Sequence, residues 1–106
     1  MSQKTFMERA LELAHASSER GEVPVGAVLV DGRGKELAAD GNRVEQYCDP
    51  VAHAEILVLR AGAEKLGTPR LTGCDLYVTL EPCPMCAQAI SFARVRRLYF
   101  GAKDPK

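Results

Sequence analysis

What the chain lacks narrows its function first. It carries no net charge, because fourteen basic residues are matched by fourteen acidic ones, so no global field draws it toward nucleic acid or an anionic bilayer. No apolar run approaches the roughly eighteen residues needed to cross a membrane, and Met1-Ser2-Gln3-Lys4 leads into a helical pattern instead of an export signal. The expected location is therefore the cytoplasm, away from membranes. Repeats, low-complexity tracts and linkers are all missing, and 106 residues suffice for one core only, so residues 1–106 are expected to form a single domain. At 46% hydrophobic residues the chain has an ordinary globular composition, which excludes disorder.

Four cysteines are present, and without an export signal they are expected as reduced thiols. Cys83 and Cys86 form a Cys-x-x-Cys, which in such a chain means metal or redox chemistry. Cys48 and Cys74 are left over and are expected as small buried or half-buried thiols. Charge is uneven only near the end, where Arg94, Arg96, Arg97, Lys103 and Lys106 face Asp104 alone. That excess reads as a solvated surface or as a phosphate-facing patch.

The pattern of apolar residues predicts helix, hairpin, helix, strand, helix, strand. Thr5-Phe6-Met7-Glu8 has the form of a capping box, followed by Phe6, Ala10, Leu13, Ala14 and Ser17 on one helical face and a stop near Gly21. His15 lies in this helix as a surface or packing residue. Val25–Val30 is a continuous apolar run, which predicts a strand covered on both faces, with Gly26 marking close backbone approach. Asp31-Gly32-Arg33-Gly34 turns the chain into a second strand over Lys35–Val44. A second helix is expected to start at Asp49-Pro50 and to end at Gly67. Asp75–Leu80 reads as a third strand, Pro84 opens a third helix, and Leu98-Tyr99-Phe100 forms a fourth strand. These elements predict an α/β fold, a three-layer α/β/α sandwich with a mixed sheet. Crossovers through the helices predict that strands one, three and four are parallel, with strand two antiparallel at an edge.

Two short stretches carry chemistry: His53-Ala54-Glu55 and, about thirty residues on, Pro82-Cys83-Pro84-Met85-Cys86. Two thiolates one helical turn apart plus one histidine give three protein ligands, the number a catalytic zinc uses while keeping a position for water. Zinc lowers the pKa of its water to about 7. Glu55 is close to His53 yet not needed as a ligand, so it can take a proton from water, pass it to a ring nitrogen and then protonate the departing amine. His53 and Glu55 are two residues apart and can address one site only if their helix aims its N-terminal end at it. Amides of the first turn of the third helix are expected to lower the thiol pKa values. Either half alone is weak, since Cys-x-x-Cys also serves structural zinc sites and redox dithiols. The order, separation and helix-start placement of both halves favour catalytic zinc, one ion per chain.

With these residues the chain resembles the cytidine deaminase-like superfamily, and within it the bacterial tRNA-specific adenosine deaminases. The resemblance is carried by Glu22-Val23-Pro24-Val25-Gly26-Ala27-Val28, Gly41-Asn42-Arg43, Asp49-Pro50-Val51-Ala52-His53-Ala54-Glu55, Thr79-Leu80-Glu81-Pro82-Cys83 and Gly101-Ala102-Lys103-Asp104, so it covers nearly the whole chain. It implies that His53, Cys83 and Cys86 bind zinc and that Glu55 is catalytic. It also implies that Asn42 hydrogen-bonds the target base while Val23 and Val25 wall the pocket. The implied reaction converts the wobble adenosine of a tRNA anticodon loop to inosine, in a homodimer, with the target nucleotide turned out of its loop.

Two features depart from that family. Pro84 between the cysteines also occurs in guanine deaminases of the same superfamily. The chain stops at Lys106, where relatives are expected to continue through a further strand and two helices that help grip RNA, leaving strand four an exposed edge. Deamination of a free base such as guanine or cytosine, and a non-catalytic zinc-folded partner subunit, are the competing readings.

Overall fold

The computed structural model describes residues 3–102. Its elements are α1 (Gln3–Glu19), β1 (Gly26–Val30), β2 (Glu36–Gly41), α2 (Val44–Tyr47), α3 (Ala54–Leu66), β3 (Asp75–Leu80), α4 (Pro84–Ala93) and β4 (Arg97–Ala102). The strands form one sheet in the order β2-β1-β3-β4. α1 covers one face; α3 and α4 cover the other, giving the three-layer α/β/α sandwich with a mixed sheet.

Strand alternation explains both layers. Val28, Val30 and Tyr77 point to α1 and pack with Phe6 and Ala10, while Ala27, Leu29, Leu76 and Val78 meet Val58, Leu59, Leu71 and Ile90 on the opposite side. Every residue of β1 is buried, as its unbroken apolar run requires of a two-faced strand. Gly26 and Gly41 are register partners across β1 and β2. A Cβ on Gly26 would strike the Ala10 carbonyl and the Ala14 amide, and one on Gly41 the Ser17 hydroxyl. This pair of glycines is the flat spot on which α1 lies.

One expectation about the sheet is corrected. β1 is antiparallel to both β2 and β3, and only β3 and β4 are a parallel pair in register. The crossover helix makes parallel the two strands it connects, which are β2 and β3, and the chain steps over β1 in doing so. β2 is antiparallel to β1 and lies at an edge, as expected. The correction matters for function. Because β2 and β3 run the same way, the chain leaves both at one end of the sheet, and α3 and α4 begin there together.

Local boundaries differ at several elements: β2 spans Glu36–Gly41, shorter than the expected Lys35–Val44, and β4 spans Arg97–Ala102, longer than Leu98–Phe100. α1 already includes Gln3, so Thr5 lies inside the helix and does not cap it. The segment after β2 makes the single turn α2, ends at Cys48 in the left-handed region (φ 48°), and turns again where the Asp49 carboxylate accepts the Val51 N–H at 3.0 Å. α3 therefore starts at Ala54, later than Asp49-Pro50. Cys48 is exposed and Cys74 buried, so only one spare thiol behaves as expected. His15 is on the surface, 3.9 Å from Glu19.

Candidate active site

At the end of the sheet shared by the start of β1 and the ends of β2 and β3 lies a cleft of about 350 Å³. Its lining includes Val23, Val25, Asn42, His53, Glu55 and Cys83. His53 is the N-cap of α3, with extended backbone (φ −73°, ψ 150°), and Cys83 is the N-cap of α4 in a similar conformation (φ −67°, ψ 167°). Pro84 occupies the first turn of α4, where its fixed φ suits helix entry and its missing N–H removes no bond. Two helix N-termini thus converge, and their positive ends favour the negative charge of thiolates.

His53 Nδ1 is 3.4 Å from Cys86 Sγ and 3.7 Å from Cys83 Sγ, and the three ligand atoms all lie within 4.8 Å of one another. Zinc–sulfur and zinc–nitrogen bonds of about 2.3 and 2.0 Å at tetrahedral angles place ligand atoms about 3.6 Å apart. The triangle therefore fits zinc. Glu55 stands beside it in the same cleft, 4% exposed.

Burial pushes the Glu55 carboxyl above its ordinary range. Burial also raises the Cys86 thiol, and the Glu55 charge and Cys83 add to the effect. The buried Cys86 thiol and the half-buried Cys83 thiol, with the His53 nitrogen facing them, form a donor set that a divalent cation would stabilise as thiolates.

Asn42 is held on every side. Its N–H donates to the Val25 carbonyl at 3.1 Å, its carbonyl accepts from Arg20 at 3.1 Å and from the Ser17 hydroxyl at 3.4 Å, and its Oδ1 accepts the Ala54 N–H at 2.7 Å. It thus ties β2 to the first amide of α3, the helix that carries Glu55. With Oδ1 committed to that amide, the side-chain NH₂ is the group left to address a ligand. Val25 is buried in the wall, whereas Val23, 62% exposed, stands at the mouth.

The sequence-derived site residues therefore meet at one place. Glu22, which also lines the cleft, was not among them. It is a buried carboxylate whose Oε1 and Oε2 accept the Glu45 and Gln46 N–H groups at 3.0 and 2.9 Å. Its burial opposes ionisation, but these two bonds, helped by Arg20 and Arg43, hold its pKa below the ordinary value. The available signal was its position, a carboxylate directly before an apolar strand.

Fold and ligand set together define a zinc-binding deaminase. The cytidine and deoxycytidylate deaminase zinc-binding region matches residues 1–102, and the chain belongs to this family. Among its relatives, the tRNA-specific adenosine deaminase of Agrobacterium fabrum (strain C58) is 61% identical over the whole chain, which spans 70% of that protein. That of Bacillus subtilis (strain 168) is 50% identical over 95% of the chain, which spans 62% of it. A solved structure from work on A-to-I editing by tRNA:A34 deaminases at the wobble position of transfer RNA superposes with a TM-score of 0.95 at 60% identity, over 98% of this chain and 75% of that one. The guanine deaminase of Bacillus subtilis superposes with a TM-score of 0.93 at 39% identity, over 97% of this chain and 66% of that one.

Proposed function

We propose that this chain is a zinc-dependent hydrolytic deaminase that converts adenosine to inosine at the wobble position of tRNA. The observation that carries the chemistry is the His53, Cys83 and Cys86 triangle opening on a cleft with Glu55 buried beside it. The substrate is carried by the relatives named tRNA-specific adenosine deaminase. Held by the three ligands, zinc supplies a water acidified to a pKa of about 7. Glu55 takes one proton from the attacking water and delivers it to the ring nitrogen as the C–O bond forms; it then takes the remaining hydroxyl proton of the adduct and hands it to the amine, which leaves as ammonia as the C–N bond breaks and the ring carbonyl forms.

The Asn42 NH₂ donates to an acceptor on the base, which sets the ring's orientation. Val25 packs against one side of the base and Val23 guards the mouth. The cleft volume lies near the lower end of the range for small-molecule sites, about 300–1,000 Å³, and suits one nucleotide turned out of a single-stranded loop. The same reading carries a homodimer and a cytoplasmic location. The apolar groove between α3 and α4, with Phe92 exposed on it, supports the dimer. Among the described residues no helix is long and apolar enough to cross a membrane.

Incubation with total tRNA, followed by sequencing of the anticodon, tests the substrate. Inosine at the first anticodon position is expected, with no ammonia released from free guanine or cytosine. The likeness to guanine deaminase favours the second reading, deamination of a free base, and ammonia from guanine without inosine in tRNA would select it.

A further inference from the structure

Glu22 joins three parts of the molecule. Its N–H donates to the Ser17 carbonyl near the end of α1 at 3.0 Å, while its carboxylate accepts the Glu45 and Gln46 amides of α2. The segment from Gly21 to Val25 is one wall of the cleft, and α2 contributes Val44 and Glu45 to the same cleft. One side chain therefore spans from wall to wall.

α2 has four residues and none of them is buried, so neither helix propagation nor apolar packing holds it in place. Its anchors are polar. Arg43 bonds Asp40 at 2.7 Å and Gln46 Oε1 at 2.6 Å, and Glu22 takes two of its backbone amides. A buried charge is unfavourable unless hydrogen bonds compensate it, and both Glu22 oxygens are used on α2.

Resting on the deaminase reading above, we infer that Glu22 is a positioning residue: it holds α2 against the Gly21–Val25 wall and so fixes the width of the cleft that receives the base. Glu22→Gln keeps the shape but turns an NH₂ toward an amide N–H, and Glu22→Ala removes both acceptors. In the zinc-loaded protein, KM for tRNA rises about tenfold in Glu22→Gln, the equivalent of one charge-assisted hydrogen bond. The value of kcat stays within about threefold, because the proton-transfer group and metal ligands are untouched. Zinc remains at one ion per chain, and hydrogen exchange at the Glu45 and Gln46 amides speeds up by about tenfold or more.

Unchanged exchange would overturn the inference, as would faster exchange with unchanged KM. Parallel loss of zinc and kcat at constant KM would also overturn it, since that marks a general structural role. If the unsubstituted protein makes no inosine, the substrate reading fails separately, and the exchange measurement still decides whether Glu22 anchors α2. Should Glu22→Ala fail to fold, the near-isosteric Glu22→Gln carries the test.

Discussion

Replacing Asn42 separates its two roles, tether and base contact. Asn42→Ala removes the acceptor of the Ala54 N–H, a bond of 2.7 Å between residues that are both buried. An orphaned buried amide costs about 1–3 kcal/mol, and loss of a helix-start acceptor typically costs about 1 kcal/mol. These describe the same bond, so the expected loss is about 2 kcal/mol, which lowers Tm by about 10 °C in a domain of this size. Asn42→Asp retains an acceptor for Ala54 but presents no NH₂ to the base, and it adds charge near Glu55. Its stability should stay closer to that of the parent while inosine formation falls by about tenfold or more. Thermal unfolding of the zinc-loaded proteins, followed by circular dichroism, measures the first effect, and a tRNA assay on the same samples measures the second. A Tm for Asn42→Ala within about 2 °C of the parent would refute the tether.

Three further perturbations probe the fold and the metal. Gly26→Ala forces a methyl into the α1 backbone at Ala10 and Ala14; overpacking of this kind costs about 1–3 kcal/mol, and urea unfolding should place it at the upper end because neither contact is a movable side chain. Zinc removal with a chelator should lower Tm by about 14 °C relative to protein held at a hundredfold excess over Kd, which corresponds to about 2.7 kcal/mol of binding linkage. The Asp31 carboxylate accepts the Lys35 and Arg33 amides, each at 2.9 Å, and these bonds hold its pKa below the ordinary value. Its stabilisation is therefore present above the unfolded pKa of about 3.9 and is lost as pH falls through the lower folded value. Asp31→Asn should accordingly be less stable than the parent at neutral pH, with the gap closing below about pH 4; a gap that persists unchanged in acid would contradict this.

The sequence made the local elements readable wherever one physical rule dominates. The unbroken Val25–Val30 run required a strand buried on both faces, Pro84 required a helix start, and Gly26 required close approach, which α1 supplies. The zinc triangle was legible because metal chemistry restricts ligand type and spacing so tightly. Strand direction was not, because nothing in the local pattern shows that the chain passes over β1 to join β2 to β3 and leaves β1 between them, antiparallel to both. Glu22 was missed for a related reason. Its partners are backbone amides of residues 45 and 46, and amides carry no side-chain signature. The late start of α3 likewise depends on local turn geometry at Cys48 and Asp49 that competes with helix extension.

The most direct test is single-turnover inosine formation in tRNA by the zinc-loaded chain beside its Glu55→Gln variant, with bound zinc measured in both. Inosine should form at the wobble position with the unsubstituted chain. The variant should keep one zinc per chain and slow by about 10²–10⁴-fold, the span of general acid–base catalysis. Equal rates in the two proteins, or no inosine from stoichiometric zinc-loaded chain, would contradict the account.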